Sequence, residues 1–192
     1  DNKELSSKEF VALANKIELE LQRQGFDVET SVTAKKAIHC HVKFSNILFG
    51  NKLSDIKTEK IDIQIDTFDQ GYEYKPELYL LNKFNVFKQI RITPKEIILS
   101  QKLWTITQRS RAKGRDFYDI IFLLQNTKPD MGFLNLKFGT SNWNEAREKI
   151  LRGIRDIDLD SMVKDVQPFL IDIKEGEKIK HFRDYLKQIE IY

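Results

Sequence analysis

The sequence predicts an α+β protein, in which a mixed or antiparallel sheet module is followed by a C-terminal helical bundle. Two observations lead to this class. Apolar and polar residues alternate, as they do in strands, in several segments between residues 26 and 92. After residue 93 the apolar residues recur at helical spacing instead. We therefore predict a first domain over residues 1–92 and a helical domain over residues 93–192.

A helix near the start of the chain is predicted from its capping residues and its apolar spacing. Ser6 followed by Glu9 is a capping-box pattern, in which the serine hydroxyl and the glutamate carboxylate each satisfy a backbone N–H. Apolar residues then recur every three or four positions. Because Gly25 is a typical helix stop, we predict a helix over residues 7–23.

The strands are predicted from the alternation of apolar and polar residues. Two strands are expected between residues 26 and 44, followed by a loop or short helix over residues 46–56. Residues 57–67 show the cleanest alternation and are predicted as the third strand. Residues 68–83, which include a proline, are predicted as an irregular or edge segment, and residues 84–92 as a further strand.

The second half of the chain is predicted to be helical from its start signals and apolar spacing. Thr93, Pro94 and Glu96 combine an N-cap residue, a proline at the first helical position and a capping glutamate. They predict a helix over residues 94–109, which Gly114 is expected to break. Further helices are predicted over residues 115–126, 142–152, 159–170 and 177–188.

Composition and charge indicate a soluble globular protein. Hydrophobic residues make up 41% and charged residues 32%, and Lys+Arg 32 against Asp+Glu 29 leaves a net charge of +3. This mild excess does not by itself indicate a nucleic-acid partner, because both signs are mixed along the chain. A single cysteine, Cys40, excludes an internal disulfide and fits a reducing compartment, so we expect a cytoplasmic protein. No run of about 18 apolar residues is present, so we expect no membrane span.

Two acidic residues share one face of the predicted third strand. Asp62 and Asp66 are four positions apart, which is roughly 13 Å along a strand. That spacing is too wide for both to bind one metal ion unaided, but either could belong to a carboxylate cluster completed by another strand. Such clusters bind Mg²⁺ in phosphoryl-transfer enzymes. The alternative is the solvated face of an antiparallel strand.

A second group of charges lies on the helical segments of the second half. Lys102 and Arg109 are seven residues, or two turns, apart, so they share a helix face. These two cations could hold a triphosphate, the lysine as a point charge and the arginine as a bidentate fork. The alternative is structural, because Asp116 at a helix start suits the helix dipole and Arg115 could pair with Asp119 across one turn.

Two other polar groups have ordinary interpretations. His39 and His41 flank Cys40 on a predicted strand, so both imidazoles fall on one face. A zinc site needs convergent ligands and this strand supplies at most two, so we interpret the histidines as surface or cross-strand residues and Cys40 as core. The basic face of the last helix could contact an RNA backbone or be simply solvated; its residues are Lys178, Lys180, Arg183 and Lys187.

Several segments resemble the AbiEii family, nucleotidyltransferase-like proteins of type IV toxin–antitoxin and abortive-infection systems. The most specific feature is the order of a lysine, an arginine and an Arg-Asp-x-x-Asp motif. The similarity extends from about Ser6 to Leu170. The segments that carry it are residues 60–63, 97–103, 109, 115–124 and 165–170.

The resemblance implies a small nucleotidyltransferase sheet followed by a helical bundle. It also implies transfer of a nucleotide from an NTP to an acceptor, in some members tRNA, with Mg²⁺ as cofactor and an antitoxin as partner. Asp62 would be a catalytic residue and the third carboxylate of the metal cluster. Lys102 would contact the nucleotide phosphates, and Asp116 would be the acidic residue of the next motif. The residues expected to position these groups or bind the substrate are Asp66, Arg109, Arg115 and Asp119.

One motif of the family is missing from the sequence. The family begins with a Gly-Gly or Gly-Ser turn followed by an Asp-x-Asp strand, and no Gly-Gly or Gly-Ser pair occurs here. Because the chain also starts at Asp1 rather than methionine, we expect a fragment whose two primary metal carboxylates lie upstream. Asp62 alone should not hold two metal ions tightly, so we expect little or no activity. The alternative function is a degenerate, non-catalytic relative that binds a protein or RNA.

Overall fold

The computed structural model describes residues 6–34 and 37–191, which form two compact units. The first unit extends to Glu73 and contains a long helix on a three-stranded sheet. The second begins at Tyr74 and contains a β-hairpin followed by helices. The predicted α+β class is therefore confirmed, and the strands form two small antiparallel sheets rather than a single sheet. The domain boundary predicted after residue 92 stays a prediction.

Helix α1, Ser7–Arg23, has the predicted bounds and the predicted capping box. The Ser6 hydroxyl accepts the N–H of Glu9 at 3.3 Å, and the Glu9 carboxylate accepts the N–H of Ser6 at 2.9 Å. Hydrogen bonds from the Ser6 hydroxyl and the Ser6 N–H also hold the pKa of Glu9 below its usual range, since both favour the charged carboxylate. The chain leaves the helix at Gly25, whose φ of +90° suits a residue without a Cβ.

The sheet of the first unit is antiparallel and has the order β1 (Val28–Ala34), β2 (Ile38–Phe44), β3 (Ile61–Thr67). In the central strand, each residue faces one on both neighbours, as Val42 faces Thr30 and Ile63. Helix α1 packs against β1 and β2 through a small core. The buried residues of that core are Phe10, Ala14, Val28, Cys40 and Val42.

Strand β3 starts later than its sequence pattern predicted. Residues 57–60 form a turn and an irregular stretch, so the prediction of a strand over residues 57–67 is wrong for its first part. The four residues before Ile61 are all polar, and the strand begins where the isoleucines, whose β-branched side chains favour strands, begin. The short helix α2, Ile47–Gly50, lies within the segment predicted as a loop or short helix.

The second unit opens with a hairpin of β4 (Glu77–Lys83) and β5 (Val86–Ile92). Its two-residue loop, Phe84 and Asn85, has positive φ at both positions, as in a type I′ turn. The prediction of residues 68–83 as irregular or edge chain missed β4. Both faces of this strand are solvent-exposed, so it lacks the apolar and polar alternation that marks a half-buried strand.

Helix α3, Lys95–Gln108, lies where a helix was predicted, but it starts differently. Pro94 is the N-cap residue and makes no side-chain cap hydrogen bond, so the predicted Thr93 cap is wrong. The Thr93 hydroxyl instead lies 2.9 Å from the Tyr74 hydroxyl. The Glu96 carboxylate accepts the hydroxyl of Thr127 at 2.6 Å, so this glutamate ties two distant segments together.

Helix α4, Gly114–Leu124, begins at the glycine that the sequence predicted as a break. The predicted break between two helices is confirmed, because α3 ends at Gln108 and α4 begins at Gly114. Gly114 has a second role that was not predicted, which is to allow close packing. A Cβ on this residue would lie 2.0 Å from the backbone oxygen of Met162. Glycine is therefore the only residue that lets the start of α4 approach this carbonyl.

The other helices of the second unit surround α3 and α4. Helix α5, Met131–Phe138, is not predicted by the sequence pattern, because apolar residues occur all around it and hide the helical period. Short 3₁₀ turns replace the predicted helix over parts of residues 167–181. Phe117 of α4 packs edge-to-face on Phe182, with ring centroids 5.0 Å apart. The remaining helices are α6 (Trp143–Gly153), α7 (Leu159–Val166) and α8 (Phe182–Gln188).

Candidate functional site

A cluster of four charged side chains joins helices α3 and α4. Lys102 Nζ lies 2.7 Å from Asp116 Oδ1 and 2.7 Å from Asp119 Oδ2. Arg109 Nε lies 3.3 Å from the second Asp116 oxygen, Oδ2. The predicted sharing of one helix face by Lys102 and Arg109 is confirmed, because both cations reach the same carboxylate. We call Lys102, Arg109, Asp116 and Asp119 the charge cluster.

Asp116 is the buried member of the charge cluster. Only 1% of its side chain is exposed, whereas 27% of the Lys102 side chain remains accessible. Its Oδ1 accepts a hydrogen bond from Lys102, but Oδ2 has no hydrogen bond from any described residue. The Arg109 contact to Oδ2 is therefore an ion contact in which the N–H is not aligned. A buried carboxylate in this state is stabilised mainly by the two cations beside it.

The protonation of Lys102 follows from two opposed effects. Burial alone would lower the pKa of Lys102, because a low-dielectric environment disfavours the ammonium. Hydrogen bonds to Asp116 and Asp119 outweigh this effect and raise the pKa above its ordinary value. Lys102 is thus a fixed positive charge at neutral pH and not a general base.

The start of α4 is positioned from a distant part of the chain. The backbone N–H of Gly114 donates a hydrogen bond of 2.8 Å to Asp165 Oδ2 on α7. This carboxylate satisfies one of the N–H groups that a helix start leaves open. Together with the close packing of Gly114, it sets the place at which Asp116 enters the charge cluster. Sequence reasoning gave Asp165 no role, because its partner is 51 residues away.

Three further cations surround the start of α4. Arg111, Lys113 and Arg115 are exposed and make no ion pair with any residue that the structure describes. We call them the cationic trio. The predicted pair of Arg115 with Asp119 is wrong, since Asp119 binds Lys102 instead. Sequence reasoning missed Arg111 and Lys113, although the alternation of four cations from Arg109 to Arg115 was a readable signal.

The other predicted site residues belong to the first unit. Asp66 Oδ1 lies 2.7 Å from His39 Nδ1, and Asp62 Oδ2 lies 3.0 Å from His41 Nδ1. The interpretation of the histidines as cross-strand residues is confirmed. Hydrogen bonds from His39 and then Gln64 hold the pKa of Asp66 below its usual range. The structure thus pairs each aspartate with a histidine on the exposed face of β2 and β3.

Whether these residues could bind Mg²⁺ depends on how many ligand atoms they bring to one point. Mg²⁺ needs several oxygen ligands around one point. Within residues 6–34 and 37–191, no three His, Cys, Asp or Glu side chains converge in a way that could hold a metal ion. Asp62 supplies one exposed carboxylate, and it is bound to His41. The described residues therefore do not form a magnesium site by themselves.

The basic residues of the last helical segment are already paired. Arg183 Nη2 donates to the backbone oxygens of Ile154 and Arg155 at 2.8 and 3.0 Å, a structural role at the end of α6. The three lysines each contact an acidic neighbour, so the solvated-face interpretation fits better than an RNA-binding face. Their pairs are Lys178–Glu175, Lys180–Glu177 and Lys187–Asp184.

No helix among the described residues combines the length and the apolar character needed to cross a membrane.

The chain was compared with known proteins by three routes. The family model for the AbiEii nucleotidyl transferase toxin of type IV toxin–antitoxin systems matches residues 2–188. Searches of curated proteins and of solved structures found no match. The matched range includes α3, α4 and the whole charge cluster. The chain therefore belongs to the AbiEii family of nucleotidyl transferase toxins.

Proposed function

We propose that this protein transfers a nucleotide from an NTP to an acceptor hydroxyl, with an RNA such as tRNA as the candidate acceptor. In this reaction the hydroxyl oxygen bonds to the α-phosphorus, pyrophosphate leaves and the hydroxyl proton is released. Membership of a nucleotidyl transferase family supports the reaction class. The proposal includes an NTP as the nucleotide donor, an RNA as the acceptor and a cytoplasmic location. It also includes a cognate antitoxin that regulates the protein.

The observation that carries the proposal is the state of Lys102. Its ammonium is fixed in place by Asp116 and Asp119, yet 27% of the side chain is exposed. An ammonium has three N–H donors, so two acidic partners leave one for a phosphate oxygen. We propose that Lys102 binds the triphosphate as a preorganised charge, with Arg109 beside it.

The remaining binding energy for phosphate is assigned to the cationic trio. Arg111, Lys113 and Arg115 have no acidic partner among the described residues, so their charges are available to an anion. The charge cluster itself is neutral, because it holds two cations and two carboxylates. The excess positive charge of this region therefore comes from the trio.

Mg²⁺ is part of the proposal, and it would supply Lewis-acid activation of the phosphate when bound. Since the described residues do not form its site, no reaction step is assigned to it. Asp62 is proposed as one of its ligands, and the residues that the structure describes bring no further carboxylates together with it. For the same reason we propose that these 192 residues alone transfer little or no nucleotide.

The test is transfer of radiolabel from α-phosphate-labelled NTPs to RNA by the protein expressed from its natural reading frame. Lys102→Met and Asp116→Asn should each lower transfer about 100-fold or more, the usual effect of removing one preorganised charge. Lys174→Met, at an exposed lysine of the same unit, is the matched control and should leave the rate unchanged. Transfer that survives Lys102→Met would remove this lysine from the mechanism.

A second candidate function, a non-catalytic module that binds RNA, is favoured by the cationic trio. Such a module needs exposed, unpaired cations but no catalytic carboxylate. It should keep its biological effect when Asp62 is replaced by Asn, whereas an enzyme that depends on Asp62 should lose it. Its RNA affinity should fall steeply with salt and should weaken when Lys113 is replaced by Met.

A further inference from the structure

The hairpin of β4 and β5 leaves unusual apolar surface uncovered. Leu78, Leu80 and Phe87 are each more than half exposed, although they lie in regular strands. They share one face of the hairpin, and Tyr79 on the opposite face is also exposed. An isolated two-stranded hairpin is only marginally stable in water. This hairpin therefore has surface and edges that suit an additional strand.

The outer edge of β4 is the part of the hairpin best suited to pairing. Within the part of the chain that the structure describes, β4 pairs only with β5, so its other edge presents open N–H and C=O groups. Natural proteins protect such edges with central lysines or prolines. Here residues 78–81 are all apolar, and the charges stand at the two ends, Glu77 and Lys83.

We propose that β4 pairs antiparallel with β4 of a second copy of this chain, centred on Leu80. In that register Leu80 faces Leu80 of the second copy, and Tyr79 faces the second copy's Leu81. Glu77 faces the second copy's Lys83, and the symmetry repeats this pair at the other end. The result is a four-stranded antiparallel sheet in which two ion pairs join the two central strands, one near each end of the β4–β4 pair.

Charge complementarity favours this edge over the outer edges of β5 and β3. Glu77 and Lys83 are exposed and make no ion pair with the described residues. The edge of β4 is therefore neutral overall, and when two β4 strands pair antiparallel, the glutamate of each copy faces the lysine of the other. Strand β5 carries Lys88 and Arg91 and no acidic residue, so two copies would bring four cations together. Opposite charges facing each other across strands stabilise a sheet, and like charges destabilise it.

The same argument excludes self-pairing of β3. An antiparallel pair centred on Gln64 would place Asp62 opposite Asp66 of the second copy, which sets like charges against each other at both ends. Of the three exposed strands compared, only β4 is self-complementary. Because a single strand pair buries little surface, we expect a weak dimer whose population rises with protein concentration.

The test is sedimentation velocity of the full chain over a range of concentrations at low salt. Wild-type protein should show a concentration-dependent dimer. Glu77→Lys and Lys83→Glu should each raise the dissociation constant about tenfold or more, because both cross-strand pairs become like-charge pairs. An equimolar mixture of the two variants should dimerise again, since every cross-strand pair between unlike copies then joins a cation to a carboxylate.

Two further results decide the proposal. Leu80→Lys should abolish the dimer by placing two cations at the symmetry axis, whereas Leu136→Lys should leave it intact. Leu80 and Leu136 are matched in exposure, at 52% and 53%. A protein that stays monomeric at every concentration would overturn the proposal. A dimer that persists in the two charge-reversal variants, or a mixture of them that fails to associate, would also overturn it.

Discussion

Asp116 is the residue on which the candidate site depends, because its buried carboxylate is what holds Lys102 in place and faces Arg109. A buried charge is stable only while its partners remain. The same contacts that stabilise the helix pair also present a fixed ammonium to a ligand. The charge cluster can therefore both hold the two helices together and bind a phosphate, and the same residues serve both roles.

Removing the Lys102 charge should destabilise the protein as well as weaken phosphate binding. Lys102→Met leaves Asp116 Oδ1 without its donor, and a buried unsatisfied group costs about 1–3 kcal/mol of unfolding free energy. Urea unfolding measures this loss. Lys113→Met serves as control, because an exposed and unpaired lysine should change stability by no more than about 0.5 kcal/mol. Equal stability of the two variants would contradict the described burial of Asp116.

Glu96 provides a test of pH dependence. The hydrogen bond from the Thr127 hydroxyl holds the pKa of Glu96 below its ordinary value of 4.5. A carboxyl whose pKa is lowered by folding stabilises the protein above its unfolded-state pKa, and this stabilisation is lost as the pH falls through the folded-state pKa. In Glu96→Gln, unfolding free energy should therefore decrease less between neutral and acidic pH than in wild type.

The control for this measurement is Glu148→Gln. Glu148 is exposed and makes no hydrogen bond or ion pair with the described residues. Its replacement should leave the pH dependence of urea unfolding as it is in wild type. If Glu96→Gln behaves in the same way, the Thr127 hydrogen bond contributes nothing to acid sensitivity.

At the scale of elements, the start of α4 shows what local sequence can and cannot reveal. A glycine between two helices was predicted as a break, since glycine disfavours helix. Its actual role depends on the Met162 carbonyl and on Asp165, both far away in sequence. No local pattern encodes such a contact. By contrast, the bounds of α1 were predictable because the capping box lies within four consecutive residues.

Gly114→Ala should be destabilising, although alanine favours helices. The new Cβ would lie 2.0 Å from the Met162 oxygen, so α4 or α7 must move. Forcing extra volume into a packed contact costs about 1–3 kcal/mol of unfolding free energy. Thermal unfolding should therefore occur at a lower temperature.

The matched substitution is Gly50→Ala in α2. A Cβ there would meet only the Asn46 side chain, at an ordinary 3.6 Å. Higher helix propensity should then leave stability unchanged or raise it by up to about 1 kcal/mol. If Gly114→Ala unfolded at the wild-type temperature, the close approach of α4 to α7 would not be present in solution.

Missed elements have physical reasons as well. Strand β4 was missed because neither of its faces is buried, so no alternation was required of its sequence. Helix α5 was missed because it is apolar all around, yet its ends carried readable signals. Asp130 caps its first turn by accepting the Phe133 N–H, and Gly139 ends it at a positive φ of 63°.

At the scale of the whole molecule, the sequence sufficed for the fold class and the family. Alternation followed by helical spacing predicted the α+β class, and the order of Lys102, Arg109 and the Arg-Asp-x-x-Asp motif predicted AbiEii membership. The same pattern could not reveal that Asp116 is buried or that Asp119 binds Lys102 in preference to Arg115. Those facts depend on how two helices pack, which spacing along one helix does not determine.

The measurement that tests the central claim most directly is the mass of RNA recovered after incubation with NTPs and the protein from its natural reading frame. We expect the RNA mass to increase by whole nucleoside monophosphate units with wild-type protein. With Lys102→Met the mass should stay unchanged. RNA of unchanged mass with wild-type protein, under conditions where that protein still binds RNA, would contradict nucleotide transfer and favour the binding module.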